Sequence, residues 1–203
     1  HVLAVINKVR HILTKQALHT LYCSLFQPYL TYCVEVWGHT YKTNIQPLII
    51  MQKKAIRVTN NKHFRDHTHC FFLDSRVLKF VDLINFRTAQ ILYKARNNLL
   101  PVHIQQVFSD RDGRYNLRGK LNFKTKYVRT TKRSFSLSIS GVKLWNSLPE
   151  NIKQCKSIQQ FKKEYKKSIF DEYKKRVIYK KLVYCLFYCK YLSFTSMPHV
   201  TEW

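Results

Sequence analysis

The stretch from Pro28 to Arg57, PYLTYCVEVWGHTYKTNIQPLIIMQKKAIR, sets the tightest limits on what this chain can fold into. Pro28 suits the first turn of a helix, where its fixed φ helps and its missing N–H is not needed. Tyr29, Leu30, Cys33, Val36 and Trp37 then recur at three- and four-residue steps, which puts them on one side of that helix. Gly38 follows directly, and a glycine enters the left-handed C-cap conformation at little cost, so the helix is expected to stop there. A second helix is expected from about Asn44. Its Leu48, Met51, Ala55 and Val58 share an apolar face, and Lys53, Lys54 and Arg57 point the opposite way.

Charge narrows the choice of partner. The 203 residues carry 36 Lys+Arg against 11 Asp+Glu, a formal +25, with 45% hydrophobic residues, enough to build a core in one or two domains. Such a surplus repels itself and favours polyanions. Nucleic acid is favoured over an acidic membrane, because the charge is spread over several helical segments rather than gathered beside a lipid-facing one. The best apolar run, Leu182 to Tyr188, is too short for a membrane span. An aromatic content of 14% is high for histone-like packaging. The six cysteines give no CxxC pair and no zinc spacing, and Cys23 and Cys33 are expected as small buried hydrophobes. A reducing compartment, nucleus or cytoplasm, follows. The start at His1 without Met reads as a fragment.

Along the chain, Leu3, Ile6, Val9 or Arg10, and Leu13 keep helical spacing. Thr14 is a plausible N-cap for a helix Lys15 to Phe26 whose core face is Leu18, Leu21, Tyr22 and Leu25. With the next two helices these form a four-helix cluster. Asn60 to Asp74 breaks the pattern as a polar connector. Val77 to Ala95 is the longest helical signal, with Val77, Val81, Ile84, Thr88, Ile91, Leu92 and Ala95 aligned and Phe86 and Tyr93 suggesting a second covered side. Asn97 and Asn98 end it, and Pro101 opens a short helix to about Phe108. After Asp110 short strands are expected at Tyr115–Leu117, Tyr127–Arg129 and Phe135–Ile139. Gly141 precedes a short helix with Val142, Leu144, Trp145 and Leu148, closed by Pro149. Ser157 and Gln160 form a capping box ahead of a stripe of Ile158, Phe161, Tyr165 and Ile169.

Catalytic chemistry finds little support. Metal-assisted phosphoryl transfer needs converging carboxylates, and the near pairs are only Asp110/Asp112, which read as turn residues, and Asp171/Glu172. No Gly-rich phosphate loop, HExxH or GxSxG occurs. His63, His67 and His69 are close enough to suggest a metal, but a solvated connector or phosphate contacts is the favoured reading. Binding chemistry is better represented. Lys53 and Arg57, one turn apart, are placed to meet successive phosphates, against the plainer reading of a solvated face. Arg111 to Arg133 interleaves Arg114, Arg118, Lys126, Arg129, Lys132 and Arg133 with Tyr115, Phe123 and Tyr127. That mixture neutralises a backbone and stacks on single-stranded bases, the alternative being a flexible basic linker. Trp37 and Trp145 are expected in the core.

Four segments carry a resemblance: TLYCSLFQPYLTYCVEVWG (Thr20 to Gly38), LIIMQKKAIRVTNN (Leu48 to Asn61), YKARNNLLP (Tyr93 to Pro101) and SISGVKLWNSLPENIKQCKSIQQFKKEYK (Ser138 to Lys166). In this order the chain resembles the C-terminal part of a LINE-type, non-LTR retrotransposon reverse transcriptase of the jockey-like or a related clade. The resemblance implies a thumb-like helical bundle over residues 1–60, gripping the template–primer duplex. A basic region beyond it would hold RNA template and target DNA. It also implies a parent RNA-directed DNA polymerase using Mg, whose palm carboxylates are absent from this sequence, so the fragment is expected to bind without polymerising and to need no cofactor itself.

The expected fold is mainly α: a thumb-like bundle at 1–60, a connector and long central helix at 61–109, a small basic α+β section at 110–175, and a poorly ordered tail at 176–203. The expected contacts are Lys53, Lys54 and Arg57 on duplex backbone, and Arg114, Arg118, Lys126, Arg129, Lys132 and Arg133 on template RNA or target DNA. A non-functional element remnant and a basic scaffold or interaction protein are the alternatives.

Overall fold

Thr14 accepts the Ala17 N–H at 3.3 Å and so starts the second helix where its position in the sequence suggests. The computed structural model describes residues 1–109 and 121–195, with side chains as far as Tyr179. The chain is mainly helical. Arg114, Arg118, Tyr115 and the strand expected at Tyr115–Leu117 lie outside the described residues.

Helix α1 (Val2–Val9) buries Ile6, and α2 (Lys15–Leu21) buries Leu18. A π-helical turn, Tyr22–Phe26, joins α2 to α3 (Gln27–Thr31). A π turn holds more residues than an α turn, so the buried positions advance as Leu18, Tyr22, Phe26 and Leu30. Leu25, expected inside, is therefore 40% exposed, and Phe26 takes its place.

The helix expected from Pro28 to Trp37 is broken. Tyr32 is extended, Cys33 takes a left-handed φ of 47°, and α4 (Val34–Trp37) starts afresh. Cys33 and Cys23 are both exposed rather than buried. Gly38, with φ −67°, is right-handed and not the left-handed cap. It is small for another reason: a Cβ there would lie 2.4 Å from the Val34 carbonyl oxygen and 2.9 Å from the Ile84 side chain.

Helix α5 (Lys42–Thr59) begins two residues before Asn44, and its inner face is rotated from the expected one. Gln52, Ala55, Ile56 and Thr59 are buried, whereas Met51 is 46% exposed and Leu48 and Val58 are half-buried. The buried Gln52 turns the helix this way, because its amide finds partners on three sides. The connector after Thr59 contains α6 (His69–Asp74), which buries Phe72.

At the centre stands α7 (Phe80–Arg96), packed against α3, α4, α5 and two later helices, with Phe80, Leu83, Ile84, Thr88, Ala89, Gln90, Leu92, Tyr93 and Ala95 buried. Burial on several sides matches the second covered face expected from Phe86 and Tyr93, but Val81 is 48% exposed and Val77 precedes the helix. Helices α5, α6 and α7 share one ending. Asn61, Arg76 and Asn98 adopt φ of 54°, 50° and 55°. The next N–H in each case returns to a carbonyl five residues back: Lys62 to Arg57, Val77 to Phe72 and Leu99 to Lys94.

Four short helices follow: α8 (Val102–Gln105), α9 (Thr131–Ser134), α10 (Val142–Ser147) and α11 (Glu150–Lys153). A second π turn, Leu137–Gly141, leads into α10. The strands expected at Tyr127–Arg129 and Phe135–Ile139 are absent; the first is irregular chain and the second is turn and π helix. Trp145 anchors this part at 0% exposure and donates its indole N–H to the Leu121 carbonyl at 2.8 Å.

The longest element is α12 (Ile158–Thr195), not α7. Ser157 accepts the Gln160 N–H at 3.2 Å, and the Gln160 carbonyl reaches back to the Lys156 N–H rather than to that of Ser157. Phe161, Tyr165, Ile169 and Tyr173 form its buried stripe against α7. Tyr93 stacks on Phe161 at 4.6 Å and donates its hydroxyl to the Cys155 carbonyl at 2.7 Å. A single cluster of buried side chains runs from Ile6 to Tyr173. Among the described residues no helix is long and apolar enough to cross a membrane.

Candidate nucleic-acid interface

The buried half of α5 is held by Gln52 and Ile56, which leaves Lys53 and Lys54 on the outside, both exposed. Arg57 is different. It is half-buried, and its Nε donates to the Asp66 carbonyl at 2.8 Å, so part of its guanidinium clamps the connector after the helix. Of the three cations expected on this face, two are displayed and one is partly committed.

Sequence reasoning passed over Lys79 and Arg176, whose charges act on one another and on Lys53. Burial pushes the Lys79 ammonium below its usual range; Asp82 opposes this, and Arg176 and Lys53 add to it. Lys79 reaches His69 Nδ1 at 2.7 Å and lies 4.3 Å over the Tyr173 ring. His69 Nε2 meets the Tyr173 carbonyl at 3.1 Å, so this histidine belongs to the junction of α6, α7 and α12 rather than to a solvated connector. Among the described residues no three His, Cys, Asp or Glu side chains gather as metal ligands.

The second cationic region is the irregular chain from Asn122 to Thr130 with α9. Lys126, Arg129, Lys132 and Arg133 are exposed there. Lys126 also donates to the Val107 carbonyl at 3.3 Å. From Gly113 to Pro149 the sequence has no carboxylate, so nothing within the segment neutralises these charges. The interleaved aromatics divide. Tyr127 is 94% exposed, whereas Phe123 is 3% exposed and packs between Phe108 and Trp145. Phe123 is thus a core residue and not the stacking platform expected of it. A second displayed ring, Phe64, is 68% exposed with the Arg65 guanidinium 5.1 Å from its centre. It was missed because the connector has no periodic pattern to mark it.

Trp145 is buried as expected, whereas Trp37 lies outside the core at 36% exposure, stacked on Phe80 at 5.9 Å and donating to the Tyr32 carbonyl at 2.8 Å. The two cationic regions are linked by an edge contact of 4.8 Å between Phe135, at the end of α9, and Tyr41, which precedes α5. Lys53 lies eleven residues along α5 from Lys42, roughly 17 Å at 1.5 Å per residue. That distance equals about five phosphate steps of a single strand at ~3.4 Å each.

The chain matches no protein-family model, no curated protein and no solved structure.

Proposed function

We propose that this chain is a nucleic-acid-binding segment, of the kind that lies beyond the palm of a LINE-type RNA-directed DNA polymerase, and that it grips template and target strands without carrying out synthesis. The observation that carries the reading is the sorting of the basic segment: Lys126, Arg129, Lys132, Arg133 and Tyr127 outward, Phe123 and Trp145 inward. Cations spaced along a strand neutralise phosphates, and an exposed ring adds sequence-tolerant stacking. Lys53 and Lys54 extend the same chemistry along α5 towards a duplex. The partners are RNA and DNA backbones in a reducing compartment, nucleus or cytoplasm, in keeping with free thiols at Cys23, Cys33, Cys70 and Cys155. The family assignment rests on the four quoted segments. The binding assignment rests on charge and exposure.

The test is a salt titration. Replacing Arg129, Lys132 and Arg133 together by Ala should weaken RNA binding for every sequence tried. It should also reduce the slope of log affinity against log salt by about 2, since each phosphate contact on a single strand contributes ~0.7. An unchanged slope removes these residues from the interface.

A further inference from the structure

A cleft of about 460 Å³ opens where α2, the α6–α7 link, α7 and α12 meet. Its volume falls within the ~300–1,000 Å³ range of small-molecule sites. Four of its lining residues are cations: Arg76, Arg87, Lys162 and Lys166. No carboxylate lines it. Among the described residues neither Arg76, Arg87 nor Lys162 has a side-chain hydrogen bond or ion pair, and Lys166 has the Phe170 ring at 5.8 Å and the Cys23 thiol within reach of its charge. Four positive groups facing one hollow repel each other, and an anion between them relieves that repulsion.

Two further observations point inward. Gln90 is 7% exposed as a residue and lines this cleft, where its side-chain amide has no hydrogen-bond partner among the described residues and keeps its contact with solvent. An amide that meets only solvent in a cleft is free to exchange that water for a ligand hydrogen bond. Arg76 holds a left-handed φ of 50° at the end of α6, where glycine would fit with least strain. The arginine at this strained turn supplies a cation to the rim of the cleft. Below the cations lies an apolar floor that includes Val77, Leu78 and Leu83, with Phe86 beside it.

An anion alone would leave the floor and the Gln90 amide unused. A planar heterocycle with hydrogen-bonding edges and an attached phosphate uses all three features. We propose that this cleft binds the phosphate monoester of a nucleotide, with Arg76, Arg87, Lys162 and Lys166 on the phosphate and the Gln90 amide on the base. The same chemistry comes from a free mononucleotide or from the 5′-phosphorylated end of a strand. None of these residues belongs to the strand interface above, so the site stands or falls separately from it.

The experiment titrates the full chain with AMP by calorimetry, and in parallel compares 5′-phosphorylated and 5′-hydroxyl oligonucleotides of one sequence. Saturable AMP binding is expected, weakened about tenfold in Arg87→Gln and in Lys166→Gln, the loss of one charge-assisted hydrogen bond each. Lys143→Gln, an exposed cation elsewhere, should leave AMP binding unchanged. A preference for the phosphorylated strand that disappears in Arg87→Gln identifies a strand end as the ligand; equal strand binding with AMP saturation identifies the free nucleotide. Circular dichroism of each variant separates loss of the site from loss of the fold. The proposal is overturned if AMP does not saturate in the millimolar range and the two strands bind alike. It is also overturned if Lys143→Gln weakens AMP as much as Arg87→Gln does. Loss of RNA binding in the Arg129, Lys132 and Arg133 variant has no bearing on either arm.

Discussion

Gln52 and Phe80, on different helices, are joined by a 2.8 Å hydrogen bond in which the Gln52 carbonyl accepts the Phe80 backbone N–H. Lys79 precedes α7 without a capping side chain of its own, so the first free N–H groups of the central helix are satisfied from outside. Gln52 takes that of Phe80, and the Tyr173 hydroxyl takes that of Lys79 at 3.1 Å. The Gln52 amide also donates to the Leu78 carbonyl at 2.9 Å and the Tyr22 hydroxyl at 3.2 Å. One glutamine therefore ties α5, the π turn after α2 and the start of α7. Gln52→Leu keeps the volume but strands buried groups, and should cost about 3 kcal/mol in urea unfolding at 25 °C. A change below about 0.5 kcal/mol would show that the three bonds hold nothing together.

Alkaline pH should unfold the chain through its buried tyrosines. Burial pushes the Tyr22 and Tyr165 hydroxyls from 10.0 up to about 12. Tyr173 is raised too, by burial first and then by the Asp82 carboxylate it bonds. A folded pKa above the unfolded value gives stability that is whole below pH 10 and lost as pH rises through the folded value. The loss between pH 10 and 12 should reach about 2–3 kcal/mol per tyrosine. Lys79, whose pKa is lowered by burial, works weakly in the opposite direction. Denaturant midpoints followed over this range should fall, and Tyr165→Phe should make the fall shallower. A level midpoint contradicts the burial of these hydroxyls.

Tyr127 and Phe123 sit four residues apart and should respond in opposite ways. Tyr127→Ala removes a ring that is 94% exposed, so stability should hold while affinity for single-stranded RNA drops about tenfold, the worth of one stacked base. Phe123→Ala opens a hole beside Trp145 and should cost about 3–5 kcal/mol of stability. Thermal melts and fluorescence anisotropy on the two variants check both. Equal RNA affinity in Tyr127→Ala and the parent chain would exclude stacking at this position.

The features legible from the sequence were the local ones. Thr14 and Ser157 cap helices within three residues of themselves, and the Phe161, Tyr165, Ile169 stripe repeats along one helix, so neighbours in sequence suffice to find them. Gly38 was read through the same local logic and misread, because its smallness answers to Ile84, far along the chain. Gln52 was invisible for a related reason: a polar side chain is buried only where distant partners exist, here Tyr22, Leu78 and Phe80. The π turn at Tyr22 shifts the phase of the core face by one residue, which no fixed 3.6-residue period anticipates. Of the interface, the exposure of Lys53 and Lys54 followed from the apolar pattern of α5, whereas Arg129 was singled out by the charge of its segment alone. The partial commitment of Arg57 to Asp66 depended on how the connector folds back, which the pattern does not encode.

The most direct test of the central claim is the salt dependence of binding to a labelled RNA–DNA duplex by the full chain. Phosphate contacts from Lys53, Lys54, Arg129, Lys132 and Arg133 predict a slope of log affinity against log salt near −4.5, five contacts at ~0.9 each. The same slope should shrink by about 1.8 when Lys53 and Lys54 become Ala. Affinity that stays level as salt rises, or a slope indifferent to Lys53 and Lys54, would contradict a cationic surface built to hold polyanionic strands.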